Sequence, residues 1–429
     1  MRLLIENGLV LAGPGLEPRP DAVVAVENGV IAAVGAPPPG WVPDERIDAA
    51  GKVVMPGLIN AHTHAAMTLF RGYGDDLPLQ EWLSQRIWPA EARLTGEHVY
   101  WGSLLAILEM LRSGTTAFAD MYFFMEEVAR AVAESGIRAS LSRGLIGLDP
   151  AKAERDLAAG VEFARTYRGA AGGRITTMLG PHAPYTCPDG FLREVVAAAA
   201  EEDLPLHIHV SETERENREM RERTGRTPVA HLAELGVFSR PVLLAHGVWL
   251  EEADIAVLAR HRVGVAHCPG SNLKLASGIA PVKALHAAGV KIGLGTDGAA
   301  SNNNLDLFRE VRLAALVHKV RERDATAVPA SLALRFATMG GAACLGLEGK
   351  IGQLSPGFRA DLIAVSLHRP HLVPRHDPVS HLVYAVEGFS DVTDVMVDGE
   401  FLLRDGRFTR FDEERILREA ERLGKSLVR

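Results

Sequence analysis

The sequence predicts an α/β protein: a (β/α)8 TIM barrel with a small β-sandwich built from both chain ends. Three observations predict it. Eight short apolar runs, each followed by a helical stretch, recur at intervals of roughly 30–40 residues through the middle of the chain, as βα units do. The histidine, aspartate and glutamate residues of those runs fall at their C-terminal ends, which a barrel gathers on one rim. Strand-and-turn patterning without helical stretches is confined to the two ends of the chain.

The first 55 residues hold RLLIENGLVLAG and DAVVAVENGVIAAVG, short strands around Asn-Gly turns, and are assigned to the sandwich. Residues 56–348 are assigned to the barrel. Its expected strands are the runs VVMPGLINAH, GTTAFADMY, IRASLSRGLI, RITTMLGPHA, LPLHIHVSE, PVLLAHGVW, RVGVAHCPG and VKIGLGTDG. Eight such units point to a closed barrel rather than a doubly wound sheet, which usually has fewer strands. Residues 349–429 return to alternating apolar and polar residues in GQLSPGFRADLIAVS and DVTDVMVDGEFLLRDGRF, expected to complete the sandwich before a C-terminal helix.

Composition narrows the function. With 429 residues, 47% hydrophobic and 23% charged, the chain reads as a soluble globular protein, and a net charge of −8 argues against a nucleic-acid surface. No basic leader precedes a long apolar segment and nowhere do eighteen apolar residues run together, so the expectation is a cytoplasmic protein with no membrane role. Cys187, Cys268 and Cys344 are odd in number and far apart, which suits neither a disulfide framework nor a cysteine zinc knot.

The chemistry sits at the strand ends. In INAHTH, His62 and His64 are two apart and would project their imidazoles together, the geometry of a chelate. LHIHVSE offers His207 or His209, either of which spacing allows as a ligand; His209 is taken because it lies nearer the strand end. Asp297, at the end of the eighth run, completes a set of His62, His64, His209 and Asp297, with His246 close by as a weak ligand or as a group that holds water and shuttles its proton. Three neutral imidazoles and one carboxylate suit Zn²⁺, with Fe²⁺ and Mn²⁺ as alternatives, and leave the ion enough positive charge to polarise water. Glu212, three residues past His209, is placed to act as a general acid and base without binding the metal. His267 also ends a strand, but Pro269 and Gly270 follow closely and favour a structural loop role.

PGLINAHTH, LHIHVSET, LLAHG, AHCPGSNLKL and GLGTDGAASNN together resemble the amidohydrolase superfamily over nearly the whole chain, and within it the 5-methylthioadenosine/S-adenosylhomocysteine deaminases. The fourth run offers His182 and no Lys or Glu, so the resemblance implies one metal ion per subunit. The H-x-E with P-C-x-x-C pattern of the other zinc deaminases is absent. The resemblance further implies that Glu91 receives the ribose hydroxyls, Trp82 lines the same region and His182 meets the purine. Glu212 would carry a proton to the ring nitrogen, with His246 and Asp297 orienting the attacking water. Arg143 and Arg155 would bind the homocysteine carboxylate, one of them arriving from a neighbouring subunit of a homo-oligomer, and Ser301 would lie near the site. The implied reaction is hydrolytic deamination of the adenine ring of a small nucleoside: S-adenosylhomocysteine, 5′-methylthioadenosine or adenosine. The same architecture serves guanine and cytosine deaminases and triazine chlorohydrolases, so a free base or a triazine is the alternative substrate.

Overall fold

Pro56 and Gly57 divide the first of the eight runs, which reads in sequence as one strand. In the computed structural model, which describes residues 1–428, Lys52–Pro56 belongs to the sandwich and Leu58–Thr63 opens the barrel. Proline has no N–H with which to continue a ladder, and a Cβ on Gly57 would stand 2.1 Å from the hydroxyl of Thr116. The chain therefore leaves one domain and enters the other at this dipeptide.

Leu58–Thr63 is β1 of the barrel. The remaining runs supply β2 (Thr115–Tyr122), β3 (Arg138–Leu145), β4 (Ile175–Pro181), β5 (Leu206–Val210), β6 (Val242–His246), β7 (Gly264–His267) and β8 (Lys291–Leu294). All pair in parallel in chain order, and β8 returns to β1 through Leu294 and Asn60, which closes the ring. Every residue of β1, β2, β5, β6 and β7 is buried, because helices cover the outside while side chains fill the inside. That double burial explains why these strands read as near-continuous apolar runs.

The outer helices carry ordinary start and stop chemistry. Asp149 caps the helix Pro150–Tyr167 by accepting from the amides of Ala151 and Lys152, with proline at the first position. The helix Met125–Ser135 buries Met125, Val128, Ala129 and Val132 along one face and ends at Gly136, whose φ of +84° suits glycine. Between β1 and the helix Gly96–Arg112 lies an insertion, helical over 65–70 and 79–91. Its second part contains a π-helical turn, Leu83–Ile87, between Trp82 and Trp88.

The sandwich pairs a four-stranded sheet made from the first 48 residues with a seven-stranded sheet that mixes both ends of the chain. In the larger sheet Lys52–Pro56 lies antiparallel to Leu362–Ser366, Lys52 opposite Ser366 and Pro56 opposite Leu362. Leu3, Val24, Ile31, Val54, Leu362 and Met396 form the shared core. A buried ion network ties this unit to the barrel: Arg138, at the start of β3, donates to Asp361 at 2.8 and 3.1 Å and to Asp398 at 2.6 Å. The helix Glu413–Leu427 packs on Gly96–Arg112. Among the described residues, no helix is long and apolar enough to cross a membrane.

Candidate active site

The strand ends converge as the barrel demands. His62 and His64 come from β1, His209 from β5 and His246 from β6, while Asp297 lies just past β8. The β1–β2 register shifts between Asn60 and Thr63, next to the paired histidines, the kind of irregularity that re-aims side chains at functional rims. Ser211, His246 and Asp297 hold left-handed backbones, with φ of +54°, +74° and +59°. Such conformations are costly for non-glycine residues and persist only where the surroundings hold them.

Hydrogen bonds assign the protons of these imidazoles. Ser142 Oγ donates to the carbonyl of Asp120 at 2.9 Å, so it must accept from His207 Nδ1 at 3.3 Å. His207 Nε2 is then an acceptor, and His62 Nδ1 donates to it at 2.8 Å. The Nε2 lone pair of His62 is left pointing at the cluster, buried and without a hydrogen-bond partner. His64 and His209 reach the same state more directly, donating through Nδ1 to the carbonyls of Met121 (2.6 Å) and His182 (2.7 Å).

Three imidazole lone pairs and a carboxylate thus face one another with no proton between them. Nε2 of His64 and His209 are 3.3 Å apart, and Asp297 Oδ1 is 3.3 Å from Nε2 of both His62 and His64. Donor atoms at 2.0–2.1 Å from a tetrahedral ion stand about 3.3–3.4 Å apart, so the set fits a divalent cation. His62, His64 and His209 form one group of mutually close ligand atoms, and His62, His246 and Asp297 a second. Burial pushes His62 down to about 4 and His209 well below its ordinary value, which keeps both imidazoles neutral and available as ligands. Burial opposes the Asp297 carboxylate, but the imidazoles around it prevail and hold it well below the usual range.

Around the cluster lies an open cavity, about 720 Å³ with the solvent at its mouth included. Glu212 and His246 enter it with Glu212 Oε2 3.9 Å from His246 Nε2. Burial raises the Glu212 carboxyl, which favours a proton-carrying role, while Glu212 and Asp297 lift His246 against its own burial. The amides of Ser211 and Glu212 each donate at 2.9 Å to the buried carboxylate of Glu216, which holds the turn that presents Glu212. Opposite, Glu91 accepts from Tyr122 Oη at 2.7 Å, and burial raises it to about 7. Trp82, Trp88, His182 and Tyr185 also line the cavity, and Ser301 lines it while donating to Asp297 Oδ2 at 2.8 Å.

Residues 53–402 match the model of the amidohydrolase family. The chain belongs to the amidohydrolase family. This amidohydrolase is 56% identical to a 5-methylthioadenosine/S-adenosylhomocysteine deaminase of Desulforudis audaxviator, over 100% of this chain and 99% of the relative. It is 53% identical to a 5′-deoxyadenosine deaminase of Methanosarcina mazei, over 99% of this chain and 98% of the relative. Among solved structures, an adenosine deaminase from Xanthomonas campestris with bound zinc superposes with a TM-score of 0.94 at 40% identity, covering 99% of this chain and 98% of the other.

Two sequence expectations fall outside the amidohydrolase cavity. Arg143 alternates with Ser142 and Gly144, which face inward, so its side chain turns to the helix layer, 3.6 Å from Asp156 and 3.9 Å from Glu126. Arg155 is exposed on the helix Pro150–Tyr167 and does not line the cavity either. His207 stands behind His62 while His209 faces the cluster, and His267 is buried against His318 with its Nε2 3.1 Å from the other. Sequence reasoning missed Tyr122, Ser142, Ser271 and Asn272. Of these, only Ser271 and Asn272 carry a signal, lying in the AHCPGSN motif, where the histidine alone was given a role of its own.

Proposed function

We propose that this chain deaminates the adenine ring of 5′-modified adenosines by hydrolysis, releasing ammonia and leaving the inosine analogue. The observation that carries this reading is one cavity shared by an unprotonated His/Asp cluster, a buried Glu212 and a buried Glu91. The relatives named for 5-methylthioadenosine, S-adenosylhomocysteine and 5′-deoxyadenosine, similar over essentially the full length, support it.

The ion, in this reading Zn²⁺ held by His62, His64, His209 and Asp297, supplies the Lewis acidity that makes water nucleophilic at neutral pH. The remaining steps belong to the chain. Asp297 and His246 orient water toward C6 and take up its proton, while Glu212 delivers a proton to N1 as the C6–O bond forms. The proton held by Asp297 and His246 then passes to the amino group of the tetrahedral C6, the C–N bond breaks, ammonia leaves, and the C6 hydroxyl gives its proton back to Glu212 as the carbonyl forms. Glu91 accepts the ribose hydroxyls, and His182 and Trp82 hold the purine and sugar so that C6 meets the water.

The cavity also suggests an order among substrates. Leu79, Leu83, Ile87 and Ile146 are among its walls, and no arginine lines it among the described residues. A 5′-methylthio or 5′-deoxy group suits such walls. The homocysteine carboxylate must instead be met by a movement of Arg143 or by Arg155 of a neighbouring copy in a homo-oligomer. The test is ammonia release from 5′-methylthioadenosine, 5′-deoxyadenosine, S-adenosylhomocysteine, adenosine, adenine and guanine side by side. The expected result is a kcat/KM highest for the two apolar nucleosides and negligible for free bases, with Glu91→Gln hurting nucleosides alone. Turnover confined to free bases would sink the reading.

A further inference from the structure

Two Ser-Asn pairs, in PGSN and AASN, lie on two short helices beside the cluster, Pro269–Lys274 and Ala299–Asn302. Both serines donate to the same oxygen, Asp297 Oδ2, Ser271 at 2.7 Å and Ser301 at 2.8 Å. That leaves Oδ1 alone to face His62 and His64. The asparagines divide their work. Asn272 Oδ1 accepts from His246 Nδ1 at 2.9 Å, while Asn302 turns away from the site and donates to the carbonyl of Thr296 at 2.8 Å and to Glu310 Oε1 at 2.9 Å.

The second oxygen of Glu310 closes the arrangement by accepting from the amide of Gly270 at 2.8 Å. Glu310 stands on the outer helix Leu307–Glu322, fully buried, and does not line the cavity. Its approach to Gly270 is so close that a Cβ there would lie 2.4 Å from Oε1. Helices of one or two turns cannot hold themselves in place, because a nucleus that short is unfavourable in isolation. Something outside them must fix where they sit.

We propose that Glu310 is a positioning residue, whose single carboxylate grips both short helices and thereby sets the serines that aim Asp297 and the asparagine that aims His246. The assignment rests on the reading of Asp297 as a metal ligand and His246 as a proton-handling group. It explains why a glycine precedes the first Ser-Asn pair and why the second asparagine points away from the chemistry.

Glu310→Gln keeps the shape but sets an NH2 group against one of the two donors. The expected result is a kcat on 5′-methylthioadenosine lower by about 10–100-fold, with KM within about threefold, and Zn²⁺ bound about 10–100-fold more weakly in competition with a chelator. Gly270→Ala should give the same split, and the double variant should be no worse than the worse single one, since both break one clamp. Asn302→Ala removes one arm at a half-buried position and reads the same two quantities if Glu310→Gln does not fold. Wild-type kcat and wild-type zinc affinity in these variants would overturn the proposal, as would losses confined to KM and thermal stability. Zinc competition needs no substrate, so a wild-type protein inactive on 5′-methylthioadenosine would count against the substrate reading and leave the clamp to be judged by metal affinity.

Discussion

His62 meets the cluster with its proton placed by a backbone carbonyl three groups away, through His207 and Ser142. Removing the middle of that relay leaves Nδ1 of His62 buried without an acceptor, so His207→Ala should weaken zinc binding about 10–100-fold in chelator competition while the other ligands stay in place. Glu91 gives a pH signature. Its carboxyl is raised from 4.5 to about 7 by burial, with Tyr122 opposing. It is therefore protonated in the free protein below about 7 and a good acceptor for ribose hydroxyls above it, so KM for nucleosides should fall as pH rises through 7 and Glu91→Gln should flatten the profile. The stability sign is the reverse: the protonated group stabilises the fold fully below 4.5, and that contribution is lost as pH rises through about 7. Thermal unfolding of wild type against Glu91→Gln over that range checks it. At this scale the sequence was legible where phase alone decides, as for His62, His64 and Asp297. It was silent where the answer depends on a partner far along the chain. Spacing could not separate His207 from His209, because both face one side of β5 and only the position of His62 tells which lies behind. Arg143 stands outside the cavity for a local reason: its neighbours Ser142 and Gly144 take the inward positions of β3, and alternation turns it out.

The eight βα units were readable because strands buried on both faces lose the polar alternation that would otherwise blur their ends. What the pattern hid was the joint at Pro56 and Gly57, since apolar residues continue on both sides of it. Gly57→Ala tests that joint. The added Cβ meets Thr116, a β-branched side chain in a buried strand, and overpacking of this kind should destabilise by about 1–3 kcal/mol, read as a lower midpoint in denaturant. Composition and spacing alone did not place the insertion over 79–91 in the site; only the family resemblance assigned Trp82 and Glu91 there. Its π-helical turn widens one helical turn between Trp82 and Trp88, and the segment delivers Leu79, Trp82, Leu83, Ile87, Trp88 and Glu91 to the cavity. A sequence shows such a residue as a charge or an aromatic on a helix, with nothing to say that the helix crosses the rim of a barrel.

At the scale of the molecule, barrel and sandwich are joined by ions as well as by a shared core. Arg138 and Asp361 are buried together, and half-buried Asp398 accepts from Arg138 and, at 2.5 Å, from Arg359. Arg138→Ala would leave the buried Asp361 carboxylate without its cation, while Asp398 keeps Arg359, and should cost about 3–5 kcal/mol, seen as a lower thermal midpoint in both zinc-loaded and zinc-free protein. The pairing of Lys52–Pro56 with Leu362–Ser366 has a consequence in time as well as in space. During synthesis the first strands of the sandwich emerge early and wait for a partner more than three hundred residues behind them. The whole barrel can condense in that interval, so its base forms before the ribbon that will cover it exists. Until that ribbon arrives, the edge of Lys52–Pro56 is an unpaired template, and a ribosome stalled short of Leu362 would leave it open to any other extended chain.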